Sequence, residues 1–138
     1  MTIGSTFKLK SILLGVATSI ILARFIGFVI GFSIEYGYGL PVLLTLVNST
    51  AYLIFGLIVW AVICGFAGWF TAQSARVNKL GNALVMSIAV LVLNAWFYSI
   101  LSVQQALWYI YTARLLTIPA ALVGAYLEDV LNSAPSKR

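Results

Sequence analysis

Residues 80–127 read LGNALVMSIAVLVLNAWFYSILSVQQALWYIYTARLLTIPAALVGAYL, and this stretch decides the fold. It holds two apolar runs, 80–101 and 106–127, separated only by Ser102, Val103, Gln104 and Gln105. A helix needs about 20 apolar residues to cross a hydrocarbon core, so each run is long enough to span. A link of that length forces the second helix back alongside the first. Toward the N-terminus, Gln73 to Lys79 is the one polar, basic connection, and before it lies a third run, about 50–72. A fourth, about 11–33, is bounded by Lys8 and Lys10 on one side and by Glu35, Tyr36, Gly37, Tyr38, Gly39 and Pro41 on the other. Val42 to Val47 is apolar too and reads as an interfacial turn or an early, tilted start of the 50–72 helix. Residues 1–132 thus make a single four-helix domain, and 133–138 reads as a disordered tail.

Composition supports the same conclusion. The chain has 138 residues, 62% hydrophobic and 8% charged, with a mean hydropathy of +1.06, whereas about a quarter of a soluble domain is charged. In lipid every backbone amide must be satisfied within its own segment unless a closed barrel forms, and runs this long do not resemble the alternating segments of about ten residues that build barrels. The expected class is all-α: a polytopic membrane protein of four transmembrane helices in an antiparallel bundle. The first run is longer than a signal-peptide core and carries Arg24, so it reads as a retained span. In a four-span course Lys8, Lys10, Arg76, Lys79, Lys137 and Arg138 fall on one side and Glu35 on the other, which puts both termini in the cytoplasm by the positive-inside rule. Tyr36, Tyr38, Tyr52, Trp96, Tyr98, Trp108 and Tyr109 would form the outer aromatic belt, Trp69 and Tyr126 the inner one.

The residue inventory narrows function. With no His and a single Cys in the chain, metal centres lose their usual ligands and no metal or cofactor is expected. General acid–base catalysis and proton relays need His or an intramembrane carboxylate, and the four spans contain neither. The chain therefore reads as no enzyme, and it lacks the intramembrane Glu on which the four-helix small multidrug transporters depend. Cys64, near mid-membrane, reads as a small apolar residue. Asn48, Ser49 and Thr50 spell a glycosylation sequon hard against a span. Glu128 and Asp129, at a helix C-terminus whose dipole they oppose, are expected to be solvated or to meet a basic partner.

Helices in lipid associate through close packing at small residues rather than through a hydrophobic drive. Such residues recur four apart on every span: Gly15 with Ser19 and Gly27 with Gly31 on the first, Ala61 with Gly65 and Cys64 with Gly68 on the second, Ala83 with Ser87 on the third, and Ala120 with Gly124 and Ala121 with Ala125 on the fourth. Most should pack within the bundle. Gly27 and Gly31 are the pair most readily left for another chain. Pro119, inside the fourth span, is expected to kink it. The endings Ala67, Gly68, Trp69, Phe70 and Gly124, Ala125, Tyr126, Leu127 hint at a parallel duplication.

Three polar side chains sit where they are expensive. At 1.5 Å per residue, Arg24, Asn94 and Arg114 each fall about 13 Å below the outer face of the apolar slab, within about 4 Å. An unpaired, lipid-facing Arg costs at least about 2.5–3.5 kcal/mol there. Glu35 is roughly 16 Å of helix away from Arg24, and Glu128 and Asp129 are at the far end. Three readings follow. The guanidiniums snorkel or donate to carbonyls, Asn94, Tyr111 and Thr112; they face a water-filled cavity and bind an anion; or they meet carboxylates or lipid phosphates of a neighbouring subunit.

Two resemblances bear on these residues. The run Gly15 to Asn48 and Gly56, with Arg24 and Phe25 adjacent and a Gly eight residues after Asn48, resembles the first two helices of the small four-helix fluoride channels. That family's broken third helix with its Phe-Ser signature has no counterpart in Cys64 to Thr71, which falls inside the second helix. The stretch Gly65, Gly68, Ala72, Arg76, Gly81, together with Leu107, Trp108, Tyr109 and Thr117 to Gly124, resembles small four-helix inner-membrane proteins of bacteria, and implies that location without implying an activity. The expectation is an accessory or scaffolding subunit whose partners are membrane lipids and other membrane subunits or a second copy of itself, with no nucleic-acid partner. Its interface would draw on Gly27, Gly31, Gly65, Gly68, Ala120 and Gly124. The alternative is an oligomeric anion channel or carrier using Arg24, Asn94 and Arg114.

Overall fold

A computed structural model describes residues 7–101 and 106–133. Among them it is helical throughout, in the order α1 Leu9–Tyr38, α2 Leu40–Leu46, α3 Thr50–Ala75, α4 Lys79–Leu101 and α5 Leu107–Ser133. The four long helices are each apolar enough and long enough to cross a membrane, as the sequence implies. The link 102–105 and residues 134–138 of the expected tail lie outside the described residues, whereas Ser133 still belongs to α5.

Val42 to Val47 is neither a turn nor the start of α3. Gly39, at φ 85°, ends α1 and donates its N–H to the Glu35 carbonyl. Pro41 then opens the seven-residue α2 in the first turn, where its missing N–H costs nothing. Ser49 is extended, and its hydroxyl accepts from the Tyr52 N–H at 3.3 Å, so α3 begins with its own cap. At the other end of α3, Arg76 (φ 58°) and Asn78 (φ 45°) take left-handed conformations to reverse the chain in three residues. The Asn82 amide donates to the carbonyls of Val77 (3.1 Å) and Asn78 (2.9 Å) and holds that reversal shut.

Consecutive spans run antiparallel, but the tightest seam joins two that are not consecutive. Gly56 lies beside Tyr109, Trp60 beside Thr117 and Gly65 beside Ala120, so α3 and α5 run in the same direction. At their crossing a Cβ on Gly68 would overlap the backbone of Ala121, and one on Gly124 the backbone of Gly65. The small residues are therefore what lets the second and fourth spans touch across the bundle. As a result α3 and α4 each contact all the other long helices, with α1 and α5 flanking them.

Most of the core gathers at one end, and at the other Leu53 and Leu57 of α3 are buried. On α1 the buried residues are Ser11, Ile12, Gly15 and Ser19, spaced as one helical face. Gly15 sits against Thr71 and Met86, both essentially fully buried, where a Cβ would collide with the Thr71 hydroxyl. Three hydroxyls in this core are satisfied locally: Ser19 donates to the Val16 carbonyl, Thr71 to Ala67 and Ser87 to Leu84, each at 2.8 Å. Asn82, fully buried, also accepts the Lys8 N–H at 2.8 Å and so ties the start of α1 to α4.

Glu128 and Asp129 are not simply solvated. Both meet Lys79, at 2.8 and 3.0 Å, and Glu128 is buried and also accepts from Asn132. The basic partner is thus the first residue of α4 in the same chain, brought there by the antiparallel course of α4 and α5.

Candidate functional site

The buried face of α1 does not stop at Ser19; it loses its partners. Ile20, Ala23, Gly27 and Ile30 continue the spacing of Ile12, Val16 and Ser19, yet no α1 residue beyond Ser19 is buried. What this face borders is a cavity of about 450 Å³ between the far halves of the four long helices. Ile20, Ile63 and Val90 close its inner end, because they are the wall residues nearest the core end of their helices. Val47, just after α2, contributes at the other end.

Each helix supplies one or two chemically distinctive groups to the wall. From α1 come Arg24 and Gly27, both exposed, which makes the cavity open rather than sealed. From α3 come Tyr52, Gly56 and Trp60; from α4, Asn94 and Phe97, one turn apart on the same face. From α5 comes Tyr109, whose ring occupies the space that a side chain at Gly56 would take, its hydroxyl 3.1 Å from a Cβ built there. The Trp60 indole is already committed: its Nε1–H donates to the Thr117 hydroxyl at 3.1 Å, which in turn donates to the Ala113 carbonyl at 2.9 Å.

Arg24 has no carboxylate partner among the described residues. Its guanidinium carbon stands 5.4 Å from the centroid of the Phe97 ring. A cation over a ring face gains about 0.5–2 kcal/mol depending on its hydration, and spends none of the guanidinium's five N–H donors on a charged acceptor. Arg24 and Asn94 therefore share one wall, on facing helices, with donors to spare. Arg114 does not join them. It is half-buried outside the cavity lining, and its Nε is buried with no hydrogen-bond partner among the described residues. Of the groups read as its local acceptors or donors, Thr112 is engaged with its own helix, donating to the Trp108 carbonyl at 2.7 Å.

The small residues divide in the same way. Gly65, Gly68, Ala120 and Gly124 come together at the α3–α5 crossing, whereas a Cβ at Gly27 or Gly31 would meet nothing within 4 Å. Next to these glycines, Phe28, Phe32 and Tyr36 stack in a ladder along α1, with ring centroids 5.9 and 6.0 Å apart, and all three are exposed. The sequence reading missed the two features that fasten the opposite end, the Asn82 hub and the Lys79 pairing.

No protein-family model, no curated protein and no solved structure matches the chain.

Proposed function

We propose that the protein is a multi-pass membrane protein of the bacterial inner membrane, with both termini cytoplasmic, that acts by helix-to-helix association as an accessory or scaffolding subunit or as a homo-oligomer. The observation that carries this reading is the unpartnered far half of α1, where Gly27 and Gly31 meet open space beside an exposed aromatic ladder. Small residues that let a second helix approach, flanked by rings able to cover it, are the features that drive association in lipid. The gathering of Lys8, Arg76, Lys79 and the α5 terminus at the other end supports the orientation, by the positive-inside rule.

Native mass analysis of the chain released in mild detergent tests the proposal. More than one subunit per particle is expected, and Gly27→Leu with Gly31→Leu should dissociate the particle without lowering its melting temperature. A wild-type chain that is monomeric and unaccompanied in both detergent and bilayer discs overturns the reading.

A second reading, an oligomeric anion pathway, is favoured by one observation: Arg24 and Asn94 face an open cavity with no carboxylate to neutralise the cation. Chloride flux from liposomes that is lost in Arg24→Gln would support it, and no flux above empty liposomes would remove it.

A further inference from the structure

We infer that the cavity behind α1 is a binding site for a membrane amphiphile with an anionic head, the head held by Arg24 and Asn94 and the tail lying along the apolar wall. The inference rests on the membrane placement proposed above but not on association with another chain. Three observations converge on this class of ligand.

The first is charge. Arg24 lines the cavity without a carboxylate partner among the described residues, and its guanidinium stands over the Phe97 ring. A ring face holds the cation in place yet leaves its edge N–H groups free to donate, so a phosphate or carboxylate oxygen can be bound without displacing anything. Asn94, one turn from Phe97 on α4, adds an amide that donates to the same oxygens.

The second is the remainder of the wall. Beyond the polar groups it is made of side chains such as Ile26, Ile30, Phe55, Val59 and Leu93. A space of about 450 Å³ is that of roughly 15 liquid waters. A small anion would occupy a corner of it and leave the rest as apolar surface wetted by water, which is unfavourable in proportion to the area exposed. A ligand with an acyl tail removes that surface from water while its head meets the one cation.

The third is access. Arg24 and Gly27 are exposed, and a Cβ at Gly27 would have no neighbour, so α1 leaves a lateral entrance at the level of the guanidinium. A lipid can enter sideways from the bilayer without the helices separating.

The test uses the full chain purified in a non-ionic detergent and titrated, under native mass spectrometry, with phosphatidylglycerol, phosphatidylcholine and inorganic phosphate in separate arms. One phosphatidylglycerol per chain is expected, held at least about tenfold more tightly than phosphatidylcholine, whose phosphate offers the same oxygens but whose choline sets a second cation beside Arg24. Arg24→Gln should erase that preference and Arg24→Lys should retain part of it. Gly27→Phe leaves Arg24 in place and should exclude the lipid; because Gly27 also lies on the proposed helix contact, its lipid count is compared with that of wild-type particles of the same subunit number. Equal retention of the two lipids by the wild-type chain overturns the proposal, as does unchanged binding in Arg24→Gln. Inorganic phosphate that displaces the lipid at equal concentration also overturns it, in favour of a free anion. The same spectra count subunits, so failure of the lipid site and failure of the association reading are read separately.

Discussion

The two halves of this bundle are built from the same kind of sequence and behave oppositely. At the end that holds Lys8, Lys79 and Glu128, α1 contributes Ser11, Ile12, Gly15 and Ser19 to a closed core, and the hydroxyls of Ser19, Thr71 and Ser87 return to carbonyls of their own helices. At the other end the same face of α1 continues through Ala23 and Gly27 and finds a void. The difference does not lie in how apolar the face is. It lies in what stands opposite: Gly15 is met by Thr71 and Met86 at contact distance, Gly27 by nothing. Small residues are thus permissive for packing but do not compel it; a helix closes only where the facing side chains fill the space its glycines leave.

Substitutions at equivalent small residues should break this contrast most forcefully. Gly68→Leu places a branched side chain into the Ala121 backbone. It should cost about 3 kcal/mol or more, seen as loss of folded, monodisperse material in detergent, whereas Gly27→Leu should leave the melting curve in place. Equal effects at the two positions would mean that the far half is closed in the bilayer. Next in size is the ion-paired end. Glu128→Ala should lower the melting temperature, and adding Lys79→Met to it should cost little more, because a double-mutant cycle assigns the shared loss to their contact. Two independent, additive losses would instead make the pairing incidental.

Asn82→Ala removes the acceptor of the Lys8 N–H and the donor to the 77 and 78 carbonyls. A loss of about 1–3 kcal/mol is expected, together with faster hydrogen exchange at Ser11 and Ile12. Arg24→Gln should be the mildest of the set, within about 1 kcal/mol in thermal melts, since the guanidinium rests on Phe97 and bridges no helices by an ion pair. A large destabilisation there would turn the far half from a binding region into a structural one.

Much of this contrast was legible in the sequence, and the illegible part has a physical reason. The number of long apolar helices follows from apolar run length; α3 begins at Thr50 and α4 ends at Leu101 as read, whereas α1 continues to Tyr38 and α5 to Ser133, past the 33 and 127 of the apolar runs. The Lys79–Glu128 pair was within reach too. Counting 22 residues back from 101 gives 79, and 22 forward from 106 gives 128, so an antiparallel pair of equal helices sets the two side by side. The sequence reading left Glu128 either solvated or meeting a basic partner and did not name Lys79, because it treated Glu128 as a helix end instead of as a neighbour of the preceding helix's start. Which spans touch across the bundle was not legible. Stripes of small residues occur on all four, and only the facing surfaces select Gly65, Gly68, Ala120 and Gly124 as the seam. Depth put Arg24, Asn94 and Arg114 in one layer; the rotation of α5 about its axis, which depth does not encode, brings Ala113 to the cavity and leaves Arg114 outside it.

The α3–α5 seam has a bearing on how the molecule comes to be made. Trp60 and Thr117 are 57 positions apart, and every intervening residue must leave the ribosome before they can meet. The helix hairpins that form early, α1 against α3 and α3 against α4, assemble while the surface meant for α5 is still bare. During that interval the small-residue stripe of α3 stays uncovered, so the last helix works as a closing wedge whose arrival completes the bundle.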